Sequence, residues 1–129
     1  MTTMYKLQKD VAGYNGFGLP VSDQKWTASL AATTDTTLTV PTNAVMGAPL
    51  NSTQRFLAII TVEPSGSVWF ALNATAAVPV GATLATSTSE LIVGGEYFAR
   101  EVKGTDVLHF FTATAATDIS VVLYALPAC

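Results

Sequence analysis

Apolar residues recur at every second position through most of this chain, in short runs broken by turn-forming residues. That period predicts strands rather than helices. In Lys25-Trp-Thr-Ala-Ser-Leu-Ala, the residues Trp26, Ala28 and Leu30 share one face. Thr33-Thr-Asp-Thr has the chemistry of a turn. Thr36-Thr-Leu-Thr-Val sets Leu38 and Val40 on either side of a threonine, and Pro41 closes it. Residues 41–53 read as a long loop with Pro41, Asn43, Gly47, Pro49 and Asn51. Arg55-Phe-Leu-Ala-Ile-Ile-Thr-Val-Glu is the richest run in β-branched and aromatic residues, and is predicted to be central and buried on both faces. Pro64-Ser-Gly is a turn, and Ser67-Val-Trp-Phe-Ala-Leu-Asn follows at once, so residues 55–73 are predicted as a hairpin.

Residues 74–90 are rich in Ala, Thr and Ser and carry Pro79 and Gly81, which predicts a surface loop with at most one short extended piece. Glu90-Leu-Ile-Val, a Gly94-Gly95 turn and Glu96-Tyr-Phe-Ala-Arg-Glu-Val read as a further pair. Its second half has a charged face suited to an edge or to a partner. After a Lys103-Gly-Thr turn, Asp106-Val-Leu-His-Phe-Phe-Thr-Ala and Asp118-Ile-Ser-Val-Val-Leu-Tyr-Ala-Leu complete the set. In the last run Ile119, Val121, Leu123 and Ala125 share one face; Ser120, Val122, Tyr124 and Leu126 share the other. About eight short antiparallel strands at regular spacing, with no helix, define an all-β fold: a β-sandwich or jelly-roll-like barrel.

Residues 1–24 differ from this sandwich domain of residues 25–129. They hold Gly13, Gly16, Gly18 and Pro20, with Tyr5, Tyr14, Phe17 and Leu19 between them, and follow neither period. The segment reads as an extended N-terminal arm, with Tyr5, Tyr14, Phe17, Leu19 and Pro20 as its assembly contacts on a neighbouring surface. An irregular N-terminus folded back on its own core is the alternative.

Composition sharpens this picture. Half of the 129 residues are hydrophobic and only 12% are charged, against about 25% in an ordinary globular domain. A chain so poor in charge hides surface in partners or displays hydroxyls. The net charge of −3 and the scatter of Lys6, Lys9, Lys25, Arg55, Arg100 and Lys103 give no basic face for nucleic acid. No apolar run approaches the ~20 residues of a membrane helix, and the first residues lack a signal-peptide core. Cys129 is the only cysteine, so no intrachain disulfide forms.

Chemistry-bearing patterns are sparse. His109 lies in an apolar run between Leu108 and Phe110, where a strand histidine on the less buried face is expected; alone it builds no ordinary zinc site. The carboxylates Asp10, Asp23, Asp35, Glu63, Glu90, Glu96, Glu101, Asp106 and Asp118 are dispersed, several at strand ends where Asp bonds backbone. Gly13-Tyr-Asn-Gly-Phe-Gly lacks the preceding strand, following helix and Lys-Ser/Thr pair of a phosphate cradle. The sequons Asn51-Ser-Thr and Asn73-Ala-Thr matter only in a secreted chain. Trp26 and Trp69 could stack on a sugar or fill the core. No catalytic residue, cofactor, metal or small-molecule substrate is expected, and an enzyme ranks last.

The strings Asp10-Val-Ala-Gly-Tyr-Asn-Gly-Phe-Gly-Leu-Pro-Val-Ser-Asp and Ser67-Val-Trp-Phe-Ala-Leu-Asn-Ala-Thr-Ala-Ala-Val-Pro, the Thr-rich strand between them and the closing Val-Leu-Tyr-Ala-Leu together resemble small virion structural proteins of tailed bacteriophages, of the capsid decoration (cement) and head-fibre types. The resemblance is one of phrasing across most of the chain and carries no active motif. It implies a β-sandwich, often a homotrimer, seated on the major capsid protein at the capsid surface after synthesis in the host cytoplasm. It also implies an arm reaching along the shell, for which residues 10–23 are the segment expected to make contacts. A carbohydrate-binding or adhesion module on a sandwich scaffold is the alternative function.

Overall fold

The computed structural model describes Ser22 and residues 24–41, 55–113 and 115–126. Within them the chain forms eight strands and no helix: β1 (Lys25–Leu30), β2 (Thr36–Thr39), β3 (Arg55–Val62), β4 (Ser67–Leu72), β5 (Glu90–Val93), β6 (Phe98–Lys103), β7 (Val107–Phe111) and β8 (Thr117–Ala125). They lie in two four-stranded sheets, ordered β1-β8-β3-β6 and β2-β7-β4-β5, with every strand pairing antiparallel. The pairs β1·β8, β2·β7, β3·β6 and β4·β5 are nested, as in one long hairpin folded at its middle. Only the β4–β5 link stays within a sheet. This is jelly-roll topology, and it realises the all-β expectation.

The pairing corrects two local readings. Residues 55–73 are not a hairpin, because β3 and β4 belong to opposite sheets. The same holds for β5 and β6, although β6 is indeed an edge strand. In each case the short link turns the chain across the sandwich, because long-range partners out-compete the local one. β3 runs against β8 from Phe56 to Val62 and against β6 from Arg55 to Ile60. β3 is central, as expected, but only one of its faces is buried. Phe56, Ala58, Ile60 and Val62 point inward, while Leu57 and Ile59 are half-covered and Thr61 is exposed. The arm residues Tyr5, Tyr14, Phe17, Leu19 and Pro20, and most of the 41–53 loop, lie outside the described residues. Just ahead of β1, the buried Ser22 hydroxyl donates to Leu123 O at 2.7 Å and accepts from Gln24 N at 3.0 Å.

Period-2 patterning supplies the core. Leu30, Phe56, Ile60, Val62, Val68, Ile92, Val102, Leu108, Phe110 and Val121 are essentially inaccessible to water, each contributing about 1.5–3 kcal/mol by burial. In the first sheet the inward register row is Trp26–Val121–Ile60–Phe98. In the second it is Thr36–Phe110–Phe70–Glu90. Trp26 stacks across the gap on Phe110 with centroids 5.9 Å apart, Phe110 meets its sheet neighbour Phe70 at 5.5 Å, and Phe70 meets Phe98 of the first sheet in a T-shaped contact at 5.6 Å. An aromatic chain therefore runs through the sandwich from one lateral edge to the other.

At one end of the molecule the β3–β4 and β5–β6 turns pack backbone on backbone. Gly94 N donates to Gly66 O at 2.8 Å, and Gly95 N to Val62 O at 3.2 Å. A Cβ on Gly94 would fall 2.0 Å from Glu63 O, whereas one on Gly81 would meet nothing within 4 Å. Gly94→Ala is expected to destabilise the fold by about 1–3 kcal/mol, the usual cost of overpacking. Gly81→Ala should stay within about 0.5 kcal/mol of the parent. Urea denaturation of the two variants checks the contrast.

Candidate functional site

The residues best equipped for chemistry are engaged in holding turns and loops. Asp35, in the turn before β2, places Oδ2 2.8 Å from His109 Nδ1, and its Oδ1 accepts from Ala76 N at 3.0 Å. A carboxylate only accepts, so the imidazole nitrogen donates. His109 sits on the outer face of β7, as the sequence implied, with its side chain 16% exposed and that of Asp35 25%. Together they clamp the base of the β4–β5 loop against the sheet.

Asp106 is a second such device. It is buried, and its carboxylate accepts from Asn73 Nδ2 and from Lys103 N, both at 3.0 Å. Asn73, at φ 57°, returns its own carbonyl to Val107 N at 2.7 Å. Its side-chain amide is thus committed to the fold. Glu63 Oε1 accepts from Asp118 N at 3.0 Å and ties the β3–β4 turn to β8. Among the described residues no group of three or more His, Cys, Asp or Glu is close enough to hold a metal.

Among the described residues one shallow concavity lies within residues 75–89, and two lie on the sandwich itself. One, of about 490 Å³, lies on the outer face of the first sheet and is lined by the hydroxyls of Thr27, Ser29, Thr61 and Ser120, with Glu63 and Asp118 beside them. Thr27, Ser120 and Thr61 form one register row there. The other, of about 280 Å³, opens between the edge strands β1 and β2. Trp26, Leu38, Pro41, Val121 and Leu123 give it apolar walls, and Lys25 and Thr39 stand exposed at its mouth. Trp26 and Trp69 do not converge. Trp26 lies on the inward face of β1, and Trp69 on the outward face of β4, so the two cannot form one stacking platform.

The exposed apolar surface is concentrated in one part of the chain. Among the described residues the large hydrophobics left exposed are Val78, Val80, Leu84, Leu91, Val93 and Tyr97, all within residues 78–97. Val80 and Leu84, at 106% and 104% exposure, stand fully in solvent. They belong to a strandless finger, residues 74–89, that carries no charged residue. The Asp35 clamp fastens its base to the sandwich, while a bond from Ala77 N to Ser89 Oγ at 3.1 Å and two from Thr88, to Thr83 O and Ala85 O, lie within the finger itself. Beside it Phe111, Trp69 and Leu91 occupy one outward register row across β7, β4 and β5. Loops this long without secondary structure are uncommon in compact domains, where they serve as functional loops or as linkers.

Sequence reasoning placed assembly contacts in the arm, and those residues lie outside the described part. It did not single out the finger, and lack of charge was no specific signal, because residues 36–54 are charge-free as well. No protein-family model matches this chain, and neither a curated protein nor a solved structure is significantly similar to it.

The clamp has a measurable consequence. Asp35→Ala is expected to raise hydrogen exchange at the Ala76 amide at least ~10-fold, the loss of about one hydrogen bond's worth of local protection. Exchange in β3 and β8 should stay unchanged. Exchange mass spectrometry of overlapping peptides reads both.

Proposed function

We propose that this chain is a virion structural protein, a capsid decoration (cement) subunit that packs against copies of itself, as a homotrimer, and against the major capsid protein. The observation that carries the reading is that, among the described residues, the large exposed hydrophobics fall within residues 78–97 of a chain so poor in charge. Exposed apolar surface beyond scattered single residues marks interaction sites on soluble proteins. The jelly roll recurs in viral capsid and lectin domains, which supports the reading by fold analogy alone. The likeness in phrasing of residues 10–23 and 67–79 to phage virion proteins is the ground for naming a phage particle.

The mechanism is mechanical rather than catalytic. A standard interface buries about 1,600 Å² in total. Repetition over a symmetric shell turns modest single contacts into collective attachment. The arm would add a second point of contact to that of the sandwich.

A carbohydrate-binding or adhesion role is the second reading, and the Trp26 groove favours it. An aromatic face beside Gln24, Lys25 and Thr39 in a concave site is the equipment of a small-ligand pocket.

Removal of residues 1–20, which spares the Ser22 anchor, is expected to leave thermal unfolding of the sandwich intact and to abolish co-sedimentation with shells of the cognate phage. A truncated chain that still decorates shells would sink the arm's role. Binding on a glycan array, lost in a folded Trp26→Ala variant, would favour the second reading instead.

A further inference from the structure

The two halves of the chain on either side of the finger are interleaved strand by strand. β1–β4 precede the finger and β5–β8 follow it. Both sheets, β1-β8-β3-β6 and β2-β7-β4-β5, alternate between the halves. Every ladder therefore joins a strand from before the finger to one from after it, and among the described residues none joins two strands of the same half. The ring contacts obey the same rule: Trp26 with Phe110, Phe110 with Phe70 and Phe70 with Phe98 each cross from one half to the other. So do the bonds of Ser22 to Leu123, Glu63 to Asp118 and Asp35 to His109. Strands need partners to be stable, so neither half holds a fold by itself, yet each supplies all the partners of the other. The peptide link through the finger is one tie among many.

We propose that the finger is a proteolytic processing site, cut by an endopeptidase whose S1 pocket takes small aliphatic side chains, and that the cut chain keeps its fold as a two-piece molecule. Residues 77–88 are exposed without a break. Residues 78–82 make no hydrogen bond, so a protease cleft can take them in extended form with no bond to break first. Their side chains select the enzyme class. Residues 56–99 contain no Lys or Arg, which leaves nothing for a trypsin-type pocket. Val80, Ala82 and Ala85 suit the small pocket of an elastase-type enzyme. At Val80 the C–N bond to Gly81 breaks and a C–O bond from water forms, leaving a carboxylate on Val80 and an ammonium group on Gly81.

Both stumps stay anchored after such a cut. Ala76 N remains bound to Asp35 on one side, and Glu90 remains paired with Arg100 on the other. The finger lies outside the ladders and the aromatic row, so hydrolysis there removes no contact that holds the sheets. The proposal and the assembly reading do not depend on each other.

The test treats the full chain with pancreatic elastase in native buffer and, in parallel, with trypsin. Elastase is expected to give pieces that mass spectrometry shows to meet within residues 80–86. Those pieces should co-elute in gel filtration with the circular dichroism of the uncut chain, and part in urea. A finger that elastase leaves whole, or pieces that separate or lose their sheet signal in native buffer, overturns the proposal. Trypsin reads opening of the sandwich itself, since Arg55 and Arg100 lie in β3 and β6. Cutting there as fast as elastase cuts the finger overturns the proposal as well. The variant Val80→Asp/Ala82→Asp/Ala85→Asp, its fold checked by circular dichroism, should be cut in the finger at least ~10-fold more slowly, because an acidic side chain does not fit a small apolar S1 pocket. An unchanged rate overturns the assigned specificity.

Discussion

The rest of this molecule depends on the row of rings Trp26, Phe110, Phe70 and Phe98 that spans the gap between the sheets. Each ring comes from a different strand, two from each sheet, so the row fixes the separation and mutual position of the two layers at once. Paired rings contribute about 0.5–1.5 kcal/mol each beyond their area. Their larger effect is positional. At the β5–β6 edge the row ends under Arg100, whose guanidinium lies 4.0 Å above the Phe98 ring and pairs with Glu90 at 2.7 Å. That exposed pair is worth little as an ion pair, yet it covers the end of the row. At the β1–β2 edge nothing comparable stands over Trp26 among the described residues, and the sandwich opens into a groove. Among the described residues, one end of the aromatic row lies under Arg100 and the other borders the groove.

Polar groups that a chemist would first examine for reactivity are absorbed by the connections. A jelly roll must cross between layers at nearly every link, and each crossing leaves backbone groups without a sheet partner. Asp35 bonds a loop amide, Asp106, Glu63 and Asn73 bond amides at strand ends, and Ser22 bonds a carbonyl within β8. Such groups are costly to leave unsatisfied. Sparse charge and structural use of several of the carboxylates thus belong together. The surface left over is hydroxyl-rich on the outer first sheet and apolar around the finger.

The strands themselves were legible in the sequence, because period-2 alternation is written residue by residue: Trp26, Ala28 and Leu30, or Ile119, Val121, Leu123 and Ala125, face inward as the pattern implied. The partners were not legible. Pro64-Ser-Gly66 looks the same whether the chain folds back flat or swings to the other layer, and what decides is the pairing of β3 with β8 and β6, contributed by residues dozens of positions away. Burial on one face only of β3 escaped for a related reason. Leu57 and Ile59 are as apolar as Ile60, and composition does not say that Thr61, Glu101 and Ser120 surround them on an outward face. The finger escaped because its residues have no period. Asp35 as a clamp on Ala76 escaped because the contact joins two loops.

The nested pairing also sets an order of events as the chain folds. Closing a loop costs more as it lengthens, so β4 and β5 are the cheapest pair to join and β1 and β8 the dearest. Folds built on such distant contacts mature in milliseconds to seconds. Until β1 arrives, β8 presents an unpaired edge that the β1 of another molecule could satisfy equally well. Exchange of that first strand between molecules is the misstep this architecture invites, most of all when many copies are synthesised close together. Trp69 on β4 and Trp26 on β1 happen to report separately on the earliest and latest stages, so stopped-flow fluorescence of single-tryptophan variants would see whether nucleation at the centre precedes closure at the rim.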